Sequence, residues 1–348
     1  MKKIVVKIGS SVLAPQGKFE PKLINDFVGD IVEVQNLGYR IILVTSGAIA
    51  CGANALKIKR RPEDAHSLMA IASLGQIILM DTYEAAFKKY EKLCAQILLT
   101  WDDFDNRKRF LNARATVDKL LAMGVIPIIN ENDAVSSDEI KFGDNDRLSA
   151  LVADLTRAEK LIILSDVEGL IGEDGKVKDF VEKVDAKIYK LIKTKTGDFT
   201  SGGMVTKLQA AEISALSGVK LIIASGREEK VISRIVKGEH IGTMFYPAVK
   251  IERARKRWIA FSKKIKGKIW IDDGAKEAIL KKGRSLLAVG IIKAEGDFKK
   301  KDAVCVVDKE GNILGCGLVN YFCDELIDCK GKKFEKEIIH RDNFVKKE

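Results

Sequence analysis

Short apolar runs alternate with helix-length amphipathic segments from residue 1 to about residue 245. Six runs are nearly continuous in apolar or β-branched residues, which is typical of parallel strands covered on both faces. We predict these strands at Ile4–Ile8, Arg40–Thr45, Ala95–Leu99, Val125–Asn130, Lys160–Leu164 and Lys220–Ala224. Between them, segments such as Pro21–Leu37 and Leu148–Ala158 repeat apolar residues at helical spacing. The pattern predicts an α/β fold with an open, mostly parallel sheet sandwiched by helices.

The rhythm changes after Pro247, where shorter strand patterns and turn residues take over. Strands are predicted at Lys268–Ile271, Leu286–Ile292, Ala303–Val307 and Leu314–Tyr321, with a hairpin turn at Glu310-Gly311-Asn312. We therefore divide the chain into a domain of residues 1–250, a basic connector of residues 251–266, and a small mostly-β domain of residues 267–348.

The composition of the chain argues against a membrane-spanning, a secreted or a zinc-binding protein. The chain has no apolar run near the roughly 18 residues that span a membrane and no signal-peptide pattern, and its cysteines lack Cys-x-x-Cys spacing. We therefore expect a cytoplasmic protein with reduced thiols and no zinc site. From Lys250 onward, 25 Lys and Arg stand against 16 Asp and Glu, so this part carries most of the net charge of +11. Such asymmetry suits either contact with a polyanion or a solvated lysine-rich surface.

Polar residues and glycines cluster where the predicted strands end, which is where open α/β sheets bind ligands. The clusters are Lys7–Ser10, Thr45–Ala48, Asn130–Asp133 and Ser165–Gly169. A lysine at the end of a buried strand is costly to desolvate unless it is paired. This cost favours a ligand role for Lys7 over a side chain that reaches out to solvent.

Two further segments have the character of a phosphate site. Ser201-Gly202-Gly203 precedes a helical pattern that contains Lys207, and a glycine-rich helix start with a lysine can hold a phosphoryl group, although it can also be a simple turn. Asn145 and Asp146 precede another helix, where one of them could serve as an N-cap. The chain lacks P-loop and dinucleotide-binding motifs. A phosphate site must therefore be assembled from separate strand ends.

These segments, in this order and spacing, resemble the glutamate 5-kinases of the amino-acid kinase superfamily over nearly the whole chain. The matching segments are Val6–Leu13, Thr45–Ala50, Leu111–Arg114, Asn130–Val135, Phe142–Asp146 and Ser201–Lys207. The region from about Gly267 is similar to a PUA domain. The resemblance implies ATP-dependent phosphorylation of the side-chain carboxylate of L-glutamate to L-glutamyl 5-phosphate, with Mg²⁺, as the first step of proline biosynthesis.

The resemblance also implies roles for particular residues. Ser46, Asp133 and Asn145 would bind glutamate. Lys7 and Lys207 would flank the transferred phosphoryl group, and Asp146 would orient them. The nucleotide would be bound by Lys7, Ser165, Asp166, Ser201, Gly202, Gly203, Met204, Val205, Thr206 and Lys207. No protein ligand is assigned to Mg²⁺.

The implied partners are a second copy of the chain, as a dimer or tetramer, glutamyl phosphate reductase, and RNA at the PUA-like domain. Three positions depart from the family pattern: Trp101, Ile171 and Ser201. One alternative is another amino-acid kinase, acting on acetylglutamate, aspartate, carbamate or UMP. A second is an RNA-binding regulator, which the thinly spread aromatic residues of the basic tail disfavour.

Overall fold

The computed structural model describes residues 2–136, 145–193, 201–248, 254–259, 264–327 and 334–346. It divides the chain into two compact units, Met1–Ile251 and Glu252–Glu348. Each unit has its own β-sheet.

Within the described residues, the sheet of the first unit has eight strands in the order β3-β4-β2-β1-β5-β7-β8-β6. Their bounds are β1 Lys3–Ile8, β2 Arg40–Val44, β3 Cys94–Leu99, β4 Ile126–Glu131, β5 Lys160–Ser165, β6 Phe180–Val181, β7 Lys220–Ser225 and β8 Thr243–Phe245. Neighbouring strands are parallel except for β7 and β8, which are antiparallel. The predicted mostly parallel sheet is confirmed, and the six predicted strands end within one residue of the observed ones. Strands β6 and β8 are too short to produce a pattern and were not predicted.

Helices connect these strands and cover the sheet. Their bounds are α1 Ser10–Leu13, α2 Pro21–Asn36, α3 Ala48–Ala55, α4 Ala65–Lys88, α5 Trp101–Asp105, α6 Arg107–Ala122, α7 Asn145–Thr156, α8 Ala186–Lys193, α9 Ser201–Leu216 and α10 Val231–Val236. Alternate residues of β1, namely Ile4, Val6 and Ile8, join the core cluster that includes α2, α4 and α10. Side chains alternate between the two faces of a strand, so Lys7 points to the other face, where α7 contacts β1.

Two helix starts differ from the prediction in a way that matters for the site. Helix α7 begins at Asn145, three residues earlier than predicted, so Asn145 and Asp146 lie in its first turn rather than before it. Helix α9 begins at Ser201, so Gly202 and Gly203 lie within its first turn, not ahead of it. Polar residues and glycines interrupt the apolar pattern at both places. A prediction from the apolar pattern alone therefore places the start of each helix too late.

The second unit is built on a five-stranded sheet in the order β10-β9-β11-β12-β13. Its elements are α11 Ala254–Arg257, β9 Ile265–Ile271, α12 Asp273–Leu280, β10 Ile291–Gly296, β11 Ala303–Val307, β12 Ile313–Val319, α13 Cys323–Ile327 and β13 Ile339–Lys346. The predicted hairpin is present, since β11 and β12 are antiparallel neighbours on either side of Gly311. The predicted strand Leu286–Ile292 is wrong: Leu286 forms an isolated bridge, residues 288–290 form a 3₁₀ turn, and β10 begins only at Ile291. Strand β13 was not predicted.

The segment before β9 contributes to the second unit. Ile259 is fully buried against Ala303, Leu318 and Val345. Strand β9 begins at Ile265, inside the stretch predicted as a connector. The described part of that stretch therefore supplies core and sheet residues.

A search of the helices in the described part of the chain finds none that is both long and apolar enough to cross a membrane.

Candidate active site

The candidate site lies where the order of strands reverses direction along the sheet. Strands β2, β4 and β3 follow one another on one side of β1, whereas β5 and β7 lie on the other. Ligands of open α/β sheets bind at the carboxyl ends of the strands at such a point. Lys7, next to the last residue of β1, pairs in register with Val44 of β2 and Ile163 of β5. It therefore stands at the centre of this edge.

Three charged side chains meet there, and we call them the ionic centre: Lys7, Asp146 and Lys207. The Nζ atom of Lys7 lies 2.6 Å from Oδ1 of Asp146, and the Nζ atom of Lys207 lies 3.0 Å from Oδ2. The three residues are only 5%, 1% and 8% exposed. One carboxylate thus holds two buried ammonium groups, one on each oxygen.

Helix α9 fixes the position of Lys207. Its Nζ atom also donates to the carbonyl oxygen of Gly203, one turn earlier, at 3.2 Å. The Thr206 hydroxyl donates to the same carbonyl at 2.9 Å and lies 3.5 Å from Oδ2 of Asp146. Because α9 packs against α7, the first turns of the two helices face each other across the ionic centre.

The pKa of Asp146 reflects this arrangement. Burial opposes the charge of the carboxylate, but the positive charges of Lys7 and Lys207 and their hydrogen bonds outweigh it. Together they lower the pKa of Asp146 to about 2. The carboxylate is therefore ionised throughout the neutral range.

Asn145, next to Asp146 in the chain, belongs to a different network. Its Nδ2 atom donates to the carbonyl oxygen of Thr45 at 2.7 Å, to Oγ of Ser46 at 3.0 Å and to Oδ1 of Asn130 at 2.8 Å. We call Ser46, Asn130 and Asn145 the acceptor cluster. It joins the carboxyl ends of β2 and β4 to the start of α7 through neutral groups.

Gly47 makes the turn that presents Ser46. Its φ angle is +105°, a left-handed value that residues with a Cβ rarely adopt. Helix α3 begins at the next residue, Ala48, so the chain passes from strand to helix within two residues of Ser46.

A cavity of about 970 Å³ opens in front of the acceptor cluster. Ser46, Asn130 and Asn145 line it, together with Asp133. Its wall also includes a cationic rim, which we define as Lys18, Lys57, Lys59 and Arg61. The cavity thus combines hydrogen-bonding groups, a carboxylate and positive charge, a set that suits a small molecule carrying both an ammonium group and carboxylates.

On the other side of β1, Ser165 and Asp166 follow β5. The Ser165 hydroxyl donates to Oδ1 of Asp166 at 3.0 Å. Burial opposes ionisation of Asp166, but hydrogen bonds from Ser165, its own backbone and Ser11, with the charge of Lys207, lower its pKa. Asp166 is therefore close enough to the ionic centre to interact electrostatically with Lys207. Residues 201–207, predicted to contact the nucleotide, form the first turns of α9.

The model of the "Amino acid kinase family" matches residues 2–225, and that of the "PUA domain" matches residues 267–341. A protein named glutamate 5-kinase from Thermoanaerobacter sp. (strain X514) is 43% identical, over 99% of this chain and 97% of its own length. The chain belongs to the glutamate 5-kinase branch of the amino acid kinase family. Proteins of the same name from Caldanaerobacter subterraneus subsp. tengcongensis and Nitrosococcus oceani are 44% and 41% identical, over 99% and 98% of this chain and 97% and 96% of their own lengths.

Membership of this kinase family implies ATP as the co-substrate, and ATP normally binds as its complex with Mg²⁺. Among the described residues, no group of three or more His, Cys, Asp or Glu side chains could hold a metal ion by itself. Mg²⁺ usually takes one or two carboxylates together with phosphate oxygens and water. Hydrogen bonds and the charge of Lys207 lower the pKa of Asp166 and favour its ionised form, so the site fits an ion held largely by the nucleotide's phosphates.

Sequence reasoning placed the strand-end motifs at this edge of the sheet but missed two contacts, and the motif Leu111–Arg114 lies within α6. Asn130 was quoted within a motif and given no role, although it hydrogen-bonds Asn145. Trp101, a departure from the family pattern, has a local explanation: the guanidinium of Arg147 lies 4.5 Å from the centre of its ring. Phe142, Gly143 and Asp144, which belong to a matching motif, lie outside the described residues.

Proposed function

We propose that this chain transfers the γ-phosphoryl group of ATP to the side-chain carboxylate of L-glutamate, forming L-glutamyl 5-phosphate for proline biosynthesis. The observation that carries this proposal is the adjacency of Asn145 and Asp146. One residue belongs to the cluster lining the acceptor cavity, and the next holds two buried cations. An acceptor in the cavity would therefore have its reacting end beside the positive charges. The name shared by the close relatives supports glutamate as that acceptor.

In the proposed reaction, an oxygen of the glutamate side-chain carboxylate attacks the γ-phosphorus of ATP. The bond between that phosphorus and the oxygen bridging to the β-phosphate breaks, and ADP leaves with the electron pair. A glutamate side chain has a reference pKa of about 4.3, so the attacking group is already ionised at neutral pH. The reaction needs no general base, which agrees with the absence of histidine from the residues assigned here.

Lys7 and Lys207 would stabilise the negative charge on the oxygens of the migrating phosphoryl group. Phosphoryl transfer depends mostly on positioning and on electrostatic stabilisation. Asp146 would keep both ammonium groups in place before ATP binds, at the 2.6 and 3.0 Å separations described above. The first turn of α9, whose backbone N–H groups carry partial positive charge, would receive the nucleotide phosphates. Bound Mg²⁺ would neutralise further phosphate charge.

The acceptor is assigned through the cavity. We assign Asp133 to the ammonium group of glutamate and Ser46 and Asn145 to the polar groups around its α-carbon.

Turnover of ATP should be measured with glutamate, aspartate, acetylglutamate and UMP, each with and without Mg²⁺. We expect glutamate to stimulate Mg²⁺-dependent turnover far more than the other acceptors. Equal or greater turnover with acetylglutamate or UMP would overturn the assignment.

The partners implied by the family remain predictions. Association with a second copy is supported by exposed apolar residues near the edge strand β3, where Leu93 and Ile77 are each 71% exposed. Association with glutamyl phosphate reductase rests on the chemistry of an activated product alone. RNA contact is supported by the PUA match and by the Lys293 ammonium 4.9 Å from the centre of the Trp270 ring. RNA retention on a filter across salt concentrations would separate a site from a merely basic surface.

A further inference from the structure

Helix α4 contacts the acceptor cluster through the side chain of Gln76. The Nδ2 atom of Asn130 donates to Oε1 of Gln76 at 2.8 Å, and Oδ1 of Asn130 accepts from Nδ2 of Asn145 at 2.8 Å. A hydrogen-bonded chain of three amides therefore runs from α4 through the end of β4 to the start of α7. No family motif quoted above includes Gln76.

Backbone groups fix the direction of this chain of amides. The backbone N–H of Glu131 also donates to Oδ1 of Asn130, at 2.9 Å, and an N–H can only donate. Oδ1 must then be the acceptor atom of Asn130, which leaves Nδ2 to donate to Gln76. At the other end, Nδ2 of Asn145 donates to the carbonyl oxygen of Thr45, which can only accept. Gln76 therefore presents its acceptor, Oε1, to Nδ2 of Asn130.

Close packing holds Gln76 at its place. Its neighbour Gly75 lies so near α3 that an added Cβ would be 1.8 Å from the carbonyl oxygen of Ala48. Ala48 begins α3, directly after Ser46 and Gly47. The backbone contact thus fixes α4 against the same turn that presents Ser46, and Gln76 follows immediately in the chain.

Gln76 does not line the acceptor cavity. It lines a neighbouring cavity of about 630 Å³, and Glu131 and Asp133 line both cavities. Its hydrogen bond to the acceptor cluster is made to Asn130, so an effect carried by hydrogen bonds reaches the acceptor through Asn130 and Asn145.

We propose that Gln76 is a positioning residue for the acceptor, holding the Asn130 amide in the orientation that Asn145 requires. The proposal rests on the proposed function, because it takes glutamate as the molecule bound at the acceptor cluster. Without the Gln76 acceptor, Nδ2 of Asn130 loses its partner, and the amide is held only at Oδ1, by the N–H of Glu131 and by Asn145. The amide can then tilt away from the position that Asn145 requires. Glutamate binding should weaken, while the ionic centre stays intact.

The test is a set of glutamate titrations at saturating Mg·ATP on Gln76→Met, Gln76→Glu and Ser73→Ala. Methionine keeps the length of glutamine but has only a weakly accepting sulfur in place of the amide oxygen, whereas glutamate keeps an oxygen acceptor. Ser73 lies on the same helix and lines the same cavity, but its hydroxyl donates to the Met69 carbonyl of its own helix. We expect Gln76→Met to raise the KM for glutamate about tenfold, with kcat and the KM for ATP within about threefold of wild type. Gln76→Glu and Ser73→Ala should both stay within about threefold of wild type in every parameter.

A double-mutant cycle with Asn130→Ala separates positioning from general damage. If Gln76 acts through Asn130, adding Gln76→Met to Asn130→Ala should change the KM for glutamate by less than about twofold. Full multiplication of the two effects would overturn the proposal, as would an unchanged KM in a folded Gln76→Met protein. If Gln76→Met fails to fold, Gln76→Asn provides the test. Asparagine keeps an amide oxygen, but its shorter side chain moves that oxygen away from Asn130, so Gln76→Asn must raise the KM for glutamate. A wild-type protein inactive towards glutamate would contradict the proposed function, whereas an active wild type with unaffected Gln76 variants would contradict only this inference.

Discussion

The acceptor cluster and the ionic centre begin at neighbouring residues of α7 and differ in kind. Asn145 reaches Ser46 and Asn130 through hydrogen bonds between neutral groups. Asp146 reaches Lys7 and Lys207 through buried ion pairs. A neutral buried hydrogen bond contributes about 1 kcal/mol net and mainly fixes orientation. A charge aimed at a developing anion is worth about 3–4 kcal/mol in the transition state. Two neighbouring residues of one helix thus divide binding of the acceptor from transfer of the phosphoryl group.

The largest effect should come from removing a cation of the ionic centre. We expect Lys207→Ala to lower kcat by a factor on the order of 10²–10³ with a much smaller change in the KM for glutamate, since the charge acts mainly in the transition state. Lys7→Ala should resemble it. The exposed Lys176→Ala serves as a matched control. A near-normal kcat in a folded Lys207→Ala protein would show that the ionic centre does not act in transfer of the phosphoryl group.

Changing the acceptor cluster should instead affect binding. We expect Asn145→Ala to raise the KM for glutamate about 10–100-fold, because buried partners of the lost amide are left unpaired. The fall in kcat should be smaller. Steady-state kinetics at saturating Mg·ATP measures both parameters, with the thermal transition confirming that the variant is folded. A variant whose kcat vanishes while its KM stays normal would place Asn145 in the chemical step.

Acid should reveal the ionic centre in the stability of the protein. The pKa of Asp146 is lowered to about 2 from an ordinary 3.8, so its stabilising contribution is full above about pH 4 and is lost as the pH falls towards 2. The difference in unfolding free energy between wild type and Asp146→Asn should therefore shrink by about 2 kcal/mol from pH 5 to pH 2. Urea unfolding at several pH values measures this difference. A constant difference would show that the carboxylate is not held in its charged form.

The sequence predicts most strands of the fold, but it predicts the residues of the ionic centre better than those of the acceptor cluster. Apolar runs locate the strands of the parallel sheet, because strands covered on both faces are continuous in apolar residues. Lys7 could be selected because a charge in such a strand needs a partner. Its partner could be named only through the family resemblance, since Asp146 lies 139 positions further along the chain.

Gln76 could not be found in the same way. It lies in the middle of a 24-residue helix, where a glutamine is ordinary. Only the approach of α4 to the end of β4 gives it a partner. The predicted strand Leu286–Ile292 failed for a related reason: an apolar run does not reveal that residues 288–290 form a 3₁₀ turn.

A smaller effect should follow from the cationic rim. Replacing Lys57, Lys59 and Arg61 together with glutamine should raise the KM for glutamate about two- to fivefold at low ionic strength, because the rim attracts an acceptor with net negative charge. The increase should disappear at about 0.5 M salt, where exposed charges are screened. A rise in KM that persists at high salt would instead indicate direct contact with the acceptor.

Removal of the second unit should have the smallest effect on catalysis. Every residue of the ionic centre and the acceptor cluster lies in Met1–Ile251. We expect a protein ending at Ile251 to keep a kcat within about fivefold of the full chain. A cut at Gly267 is a poorer test because it falls within β9 and leaves Trp258 and Ile259 without their partners in the second unit. A folded but inactive 1–251 protein would show that the second unit completes the site.

Equilibrium binding of glutamate tests the separation of the two regions most directly, because it involves no chemical step. Calorimetry with a non-hydrolysable ATP analogue and Mg²⁺ present should compare wild type, Lys207→Ala and Asn145→Ala. We expect Lys207→Ala to bind glutamate within about threefold of wild type, whereas Asn145→Ala should bind at least about tenfold more weakly. Equal weakening in both variants, or weakening only in Lys207→Ala, would contradict this expectation.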